Sequence, residues 1–257
     1  MPEGDTIHRT AATLASALEG EELTRFEAPL LRTHDLPHAG ERIEEVAARG
    51  KHLLMRCSGG ITLHTHMRMS GSWHLYRPGE RWRRTRGAMV VTVETARMHA
   101  VCFSAPVVEL LRDAELARHA VLGALGPDLC LADPDLDAVT SRLGTLDPAT
   151  EVGVALLDQT VASGIGNVYR VEVAWACRVN PFRALVDVDL AKRRELYETA
   201  STLLRGNLRT TRRTTVAGGL AVYDRAGRAC PRCAGTIVAR RQGEQARTVW
   251  WCPACQR

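Results

Sequence analysis

The chain is poor in aromatic residues, poorer still in lysine, and has no long apolar run. Phe, Trp and Tyr make up 5% of its 257 residues, so Ala, Leu and Val must fill most of a core that an apolar fraction of 45% can supply. No stretch approaches the roughly 18 apolar residues that a membrane span needs. No basic segment followed by an apolar one opens the chain, so neither secretion nor membrane insertion is expected and the expected compartment is the cytoplasm. Lys51 and Lys192 are the two lysines, yet Lys and Arg together number 34 against 29 Asp and Glu, a net charge of +5. Cations that are nearly all guanidinium groups suit planar, bidentate phosphate contacts. A high-GC genome would give the same Arg and Ala excess, so charge alone is half an argument for a polyanionic partner.

What is present falls into segments. Ile7, Ala11, Leu14 and Leu18 recur at helical spacing over residues 5–18, with Gly20 as a stop. From about 21 to 112 the pattern changes to short alternating runs: 42–46, 52–56, 61–66 and 88–94 read as strands of a sheet or sandwich, with Ser58-Gly59-Gly60 as a hairpin turn. Residues 123–150 turn acidic and Pro-containing and read as a linker, with a short helix over Leu136–Leu143 capped by Asp135. Beyond 151 the chain reads as helical: a helix over Val154–Ala162, a tight turn at Ser163-Gly164-Ile165-Gly166, a helix from Asn167 or Val168 to Ala176, and another over Asp189–Leu208. The expected fold is α+β: an N-terminal domain over 1–122, a linker over 123–150, a helical domain over 151–221 and a metal module over 222–257.

Eight cysteines divide into two groups. Cys57, Cys102, Cys130 and Cys177 stand singly among apolar residues and read as buried reduced thiols. Cys230, Cys233, Cys252 and Cys255 form two C-x-x-C knuckles flanking a hairpin whose polar turn is Gln242–Gln245. In an intracellular chain that spacing reads as one tetrahedral zinc site; a disulfide pair is the alternative. Four Cys ligands leave no open position, so such a zinc is structural, and thirty-odd residues need it to fold.

Several stretches carry possible chemistry. Removal of Met1, which the small Pro2 permits, would leave a secondary amine on a rigid ring. An α-amine titrates at about 7.7–8.0, so part of it is unprotonated near neutral pH and can attack an electrophilic carbon to form an iminium. Glu3 and Asp5 flank it as acid/base partners. Alone, Met1-Pro2-Glu3-Gly4-Asp5 reads first as an ordinary chain end leading into a helix. Arg49-Gly50-Lys51-His52 presents either a phosphate-directed lysine or a solvated one. Met67-Arg68-Met69-Ser70-Gly71 offers either an apolar wedge for a base stack or core packing. Arg81, Arg83, Arg84 and Arg86 surround Trp82 in a basic loop. Gly164-Ile165-Gly166-Asn167 would place backbone N–H groups and an amide on an exposed helix end, a phosphate-binding arrangement.

Taken together, four of these stretches carry a resemblance. Met1-Pro2-Glu3-Gly4, Arg49-Gly50-Lys51-His52-Leu53, Leu156-Leu157-Asp158-Gln159 through Gly164-Ile165-Gly166-Asn167-Val168-Tyr169, and Trp251-Cys252-Pro253-Ala254-Cys255-Gln256 resemble, in order and over nearly the whole chain, the formamidopyrimidine-DNA glycosylase / endonuclease VIII family. The resemblance implies an N-terminal β-sandwich with flanking helices, a helix–two-turn–helix domain and a zinc-finger hairpin, with DNA held in the cleft between domains. It implies a bifunctional DNA glycosylase and abasic-site lyase of base excision repair, a bacterial, nucleoid-associated monomer acting on double-stranded DNA with oxidised or abasic sites. Pro2 would attack C1′ of an extruded nucleotide and Glu3 would move protons. Lys51 and Arg247 would contact phosphates and donate protons in β- and δ-elimination. Asn167, Gln159, Gly166 and the gap-filling Met69 would face DNA, and Cys230, Cys233, Cys252 and Cys255 would hold zinc.

Departures narrow the reading. The family commonly has Glu at position 6, where this chain has Thr6, so that acid/base role is absent or passes to Asp5. Ser104–Glu109 lacks the Arg and Phe that the purine-repair branch inserts opposite the lesion, and Thr210–Tyr223 lacks its long loop. Both favour the endonuclease VIII branch, which acts mainly on oxidised pyrimidines; the two chain ends look most like an actinobacterial subset of it. An 8-oxoguanine and formamidopyrimidine glycosylase is the first alternative, and a non-catalytic protein that binds damaged DNA is the second.

Overall fold

The computed structural model describes residues 2–31 and 36–257. The chain divides into two compact units, one of residues up to Pro2 and Thr6–Gly123, the other of Glu3–Asp5 and Ala124–Arg257. Among the described residues no helix is long and apolar enough to cross a membrane.

The first unit is a β-sandwich. Helix α1 (Gly4–Leu18) buries Ile7, Ala11, Leu14 and Leu18, the face expected from the sequence spacing. Strands β1 (Leu23–Glu27), β6 (Met89–Thr95), β7 (His99–Phe103) and β5 (Ser72–Tyr76) form one antiparallel sheet in the order β1-β6-β7-β5; β2 (Ile43–Arg49), β3 (His52–Cys57), β4 (Ile61–His66) and β8 (Val107–Arg112) form the other, β2-β3-β4-β8. Leu53, Met55 and Cys57 alternate along β3 toward a core shared with Ile43, Leu63, Val91, Val93 and Cys102. The β3–β4 hairpin turns through Ser58–Gly60, where Gly60 takes φ +77°. In β4 all residues but His66 are buried, so the outer face of this sheet is covered too, and it carries the polar Thr62 and His64. Two short helices follow, α2 (Asp113–Ala117) and α3 (Ala120–Ala124).

The second unit contains α4 (Leu136–Leu143), α5 (Val152–Ala155), α6 (Asn167–Ala176), α7 (Leu190–Gly206) and the hairpin β9 (Val238–Gln242) and β10 (Arg247–Trp251). Asp135 and Asp189 cap α4 and α7 by accepting from Ala138 N at 2.8 Å and Lys192 N at 2.7 Å. Helix α6 is buried from Asn167 to Trp175.

Two expectations need correction. Residues 123–150 are not a linker: Leu129, Cys130, Val139 and Leu143 lie in the same core as Val161, Tyr169, Tyr197 and Leu204. The acidic, Pro-rich composition reflects turns and a helix cap threaded around buried apolar residues. Nor is 154–162 one helix. It stops after Ala155 because Asp158 Oδ1 takes Thr160 N at 2.8 Å, a turn that competes with the helical ladder, while Gln159 O accepts from Gly126 N at 2.8 Å.

Leu129→Ala is therefore expected to destabilise the protein by about 2–5 kcal/mol, the cost of a core cavity. Leu131→Ala, at an exposed position two residues on, should stay within about 0.5 kcal/mol. Chemical denaturation measures both, and equal small effects would return the segment to linker status.

Candidate active site and metal centre

The chain start is fixed by glycine. Gly4 N donates to Gly164 O at 2.9 Å. A Cβ on Gly4 would meet Gly164 Cα and Cys130 Sγ at 2.8 Å each, so this approach of backbones admits no side chain. Gly164 itself takes φ +109°. This contact delivers Glu3 to the N-terminus of α6. The Glu3 carboxylate, 0% exposed, accepts from Val168 N at 2.8 Å, Gly166 N at 3.0 Å and Tyr169 N at 3.3 Å. It satisfies the orphan donors of the helix and sits at the positive end of its dipole. A Cβ on Gly166 would stand 2.3 Å from Glu3 Cδ, which is why the second glycine of the turn is needed.

The sequence placed these N–H groups on an exposed end ready for phosphate. The structure gives them a different occupant, Glu3, and buries Asn167 to 5% exposure. Asn167 Nδ2 donates to Thr248 O at 3.0 Å, and its Oδ1 accepts from Arg170 Nη2. Asn167 thus ties α6 to the strand that begins with Arg247. Gln159 braces the same turn: its Nε2 donates to Leu157 O at 2.7 Å and Ile165 O at 3.1 Å, and its Oε1 accepts from Gly164 N at 3.2 Å. Gly166, Asn167 and Gln159 therefore shape the site from within. Arg247 is exposed at the start of β10, with Nε on Gln245 Oε1 at 2.8 Å.

Three charged residues that the sequence reading passed over hold this region together. Arg170, almost fully buried, donates to Gln242 Oε1 at 3.2 Å and Thr248 O at 3.4 Å. Burial first, and then the like charge of Arg247, pull its pKa down to about 10, against the opposing charges of Glu3 and Glu151. Glu172 accepts from Ala221, Val222 and Tyr223 N at 2.8 Å each and from the Thr215 hydroxyl, and so anchors the loop after α7. Arg213 grips Asp5 in a bidentate pair at 2.8 and 2.5 Å and lies over the Tyr169 ring at 4.9 Å. Burial alone would lower the Arg213 pKa; its bonds to Asp5 and the charges of Glu3 and Asp5 outweigh that and raise it. Asp5 is committed to this pair, so it does not stand in for the glutamate that Thr6 replaces. The signal was present in Asn167–Ala176: charges inside a helix that is otherwise apolar all round must be paired.

In the first unit, Pro2 is partly exposed. Lys51 follows the β2–β3 turn at Gly50, φ +59°, and is partly buried. Met69 is 70% exposed at the tip of the β4–β5 loop. Gly71 N closes that loop on Met67 O at 2.8 Å, and Ser70 Oγ ties it to Ser104 O at 2.9 Å. The apolar tip is therefore presented to solvent from an anchored base. The basic loop is likewise a surface feature, with the Arg86 guanidinium 5.2 Å from the Trp82 ring centre.

The four knuckle cysteines converge, with their sulfurs all within 4.8 Å of one another. Cys233 and Cys252 Sγ are 3.5 Å apart, and Cys230 and Cys255 Sγ 3.8 Å. A tetrahedral site with metal–sulfur bonds of about 2.3 Å sets its sulfurs roughly 3.7–3.8 Å apart, so the donor set fits a metal ion. Beneath it, Ile237, Val249, Ala221 and Trp175 form a small core of their own.

Gly166→Ala should displace Glu3 from the helix and lower the melting temperature by several degrees, as expected for a change of about 1–3 kcal/mol. Gly123→Ala, whose added methyl meets nothing within 4 Å, should leave it unchanged. Thermal denaturation monitored by circular dichroism compares the two; equal melting points would remove Glu3 as the reason for that glycine.

The comparisons with known proteins agree with this architecture. The model of the formamidopyrimidine-DNA glycosylase N-terminal domain matches residues 1–106, and that of the formamidopyrimidine-DNA glycosylase H2TH domain matches residues 125–217. A Streptomyces coelicolor protein described as probable endonuclease 8 2 is 41% identical over 264 residues, covering 100% of this chain and 94% of that protein. The DNA-(apurinic or apyrimidinic site) lyase Nei2 of Mycolicibacterium smegmatis is 36% identical over 262 residues, covering 100% and 99%. A solved complex of Lactococcus lactis Fpg with DNA containing an abasic site superposes with a TM-score of 0.83 over 99% of both chains at 20% identity, a likeness of fold. The chain belongs to the formamidopyrimidine-DNA glycosylase / endonuclease VIII family of DNA glycosylases and abasic-site lyases.

Proposed function

We propose that the protein is a monomeric, bifunctional DNA glycosylase and abasic-site lyase of base excision repair in the bacterial nucleoid, removing oxidised bases, mainly pyrimidines, from double-stranded DNA. One observation carries the reading: the residues next to Pro2 are held by the Gly4–Gly164 backbone bond and the three N–H groups on Glu3. A chain end anchored this way presents its amine in one place, which is what an amine nucleophile requires.

With Met1 removed, the Pro2 nitrogen attacks C1′ of the extruded nucleotide and the glycosidic bond breaks. Ring opening then gives the iminium, and Glu3, next in the chain, moves protons in these steps. The iminium acidifies C2′–H, so the 3′-phosphate and then the 5′-phosphate leave. Lys51 donates a proton in the first elimination and contacts phosphate, and Arg247 does the same in the second. Met69, exposed on its braced loop, fills the gap left in the base stack. The Cys230, Cys233, Cys252 and Cys255 set holds one zinc ion, which supplies folding energy and no reaction chemistry because its four positions are filled. That ion fixes the hairpin from which Arg247 projects.

The preference for pyrimidine lesions rests on what the relevant segments lack. Ser104–Glu109 runs directly into β8 without a bulky wedge. The loop after α7 is pinned short by Glu172 and by Asn207, whose side chain exchanges two 2.8 Å bonds with Thr214, so no long flap is left over a purine.

Borohydride trapping on abasic-site DNA tests the chemistry. Wild type should form a covalent adduct, and Pro2→Gly or an uncleaved N-terminal tag should lose it. Equal trapping by Pro2→Gly rules out the proline amine, and no adduct at all leaves a damage-binding protein. On duplexes carrying thymine glycol, dihydrouracil or 8-oxoguanine, excision should favour the first two; preference for 8-oxoguanine opposite cytosine would reassign the branch. Zinc chelation or Cys252→Ser should abolish DNA binding while the first unit stays folded. Binding that survives would show that the metal does not position Arg247.

A further inference from the structure

The loop between β5 and β6, residues 77–88, carries a cluster of cations that the proposed chemistry does not use. Arg81, Arg83, Arg84 and Arg86 are all exposed. Among the described residues, none of their guanidinium groups has an ion-pair or hydrogen-bond partner. Glu80 is the one acid of the loop, and its Oε2 accepts from Arg77 N at 3.0 Å. Unneutralised cations held this close repel one another, and a bound polyanion would relieve that repulsion.

The loop nonetheless has a fixed shape. The Tyr76 hydroxyl accepts from Arg83 N at 3.1 Å. Trp82 lies edge-to-face with Phe103, ring centroids 5.7 Å apart, over a small core formed by Tyr76, Val101 and Phe103. Arg86–Ala88 closes as a single 3-10 turn. A basin of about 500 Å³ opens beside this segment, lined by the four arginines together with Glu80, Trp82 and Thr85. Cations set in advance around a concave surface lose little freedom when an anion arrives.

Trp82 decides which anion fits. The Arg86 guanidinium lies over its ring, and Phe103 packs against it. With the ring so taken, Trp82 is a seat for a cation rather than a stacking platform for an unpaired base. The groups on offer are guanidinium forks, which match phosphate oxygens.

The place of the loop decides which phosphates. Ser104 N donates to Ala88 O at 2.8 Å, and Ser104 O accepts from Ser70 Oγ at 2.9 Å. Ser104 thus ties the end of the arginine loop to the loop that presents Met69. Phe103 on β7 stands opposite Ser72 on one side and Met89 on the other, so both loops enter the sheet at the same end. Arg68, exposed next to Met69, adds a further cation to that end.

We propose that the loop carrying Arg81, Arg83, Arg84 and Arg86 clamps the phosphate backbone of the duplex that flanks the lesion on one side. The inference rests on the reading of Met69 as a wedge in the base stack. A wedge kinks the duplex, and phosphate contacts beside it offset the cost of the bend. From Arg81 to Arg86 the chain reaches at most about 17 Å. One strand advances about 3.4 Å along the helix axis per phosphate, so about two to four contacts lie within that reach. These contacts position the DNA and read no sequence.

The test is the quadruple variant Arg81→Ala, Arg83→Ala, Arg84→Ala and Arg86→Ala. Its affinity for a long duplex with a central, stable abasic-site analogue is measured by fluorescence anisotropy across a salt series. The slope of log K against log salt should fall by about 2–3.5, at roughly 0.9 per lost contact, and binding near 0.1 M salt should weaken by about tenfold or more. Replacement of the same four arginines by lysine should keep the slope. An unchanged slope and affinity in the alanine variant overturns the clamp, as does an equal loss of slope in the lysine variant, which would mark a structural role. Shortening one flank of the duplex should erase the difference between wild type and the alanine variant, and shortening the other flank should preserve it; any other pattern overturns the placement. Met69→Ala is the separate control. It should weaken binding to the same duplex, and wild-type affinity there would remove Met69 from the DNA whatever the arginines do.

Discussion

A buried carboxylate on the N-terminus of α6 is the constraint on which the second unit depends. Three backbone donors converge on Glu3, and hydrogen bonds to a charged group are worth roughly 1.5–3 kcal/mol each. The arrangement works only because Gly4 and Gly164 let two backbones touch and Gly166 leaves room for the carboxylate. Residues 3–5 therefore cluster with a unit whose remaining chain begins at Ala124. A segment that would otherwise fray is packed as firmly as the core. Cap, turn and chain end form one object, and Pro2 is the residue just outside the anchor.

Around that anchor the unit is held by buried charges rather than by apolar contact alone. Asp5 and Arg213 pair bidentately, Glu172 gathers three N–H groups and a hydroxyl, and Arg170 bridges Asn167, Gln242 and Thr248. Removing one partner of such a buried set costs about 3–5 kcal/mol, because the other is left charged and unpaired. These groups give direction where apolar packing would give only cohesion. They fix the loop after α7, the first turn of α6 and the strand carrying Arg247 in a single register.

Much of the architecture was legible along the chain. The apolar spacing of α1, the strand alternation, the cap Asp135 and the paired knuckles are local patterns, and local patterns survive into the fold. The errors came where a local pattern had a non-local partner. Residues 123–150 looked like a linker because turns dominate their composition, yet Leu129 and Val139 are core. The Gly164–Asn167 turn looked like an empty anion site because its occupant lies more than 160 residues away in the chain. Arg170, Glu172 and Arg213 were missed because most of their partners lie 43 to 208 residues away in the chain.

The sequence by itself determined much of the local structure, which four thiols belong together, and, through four separated motifs, the family. It could do so because periodicity, capping and ligand spacing act over a few residues. Tertiary structure alone decided what each functional side chain faces. It made Glu3 a helix cap, turned Gly166, Asn167 and Gln159 inward as supports, committed Asp5 to Arg213, left Met69 and Arg247 at the surface, and tied the arginine loop to the loop of Met69 through Ser104. The physical reason is the same in each case. A buried polar group must find a partner, and which partner it finds is set by the packing of distant segments rather than by its neighbours in the chain.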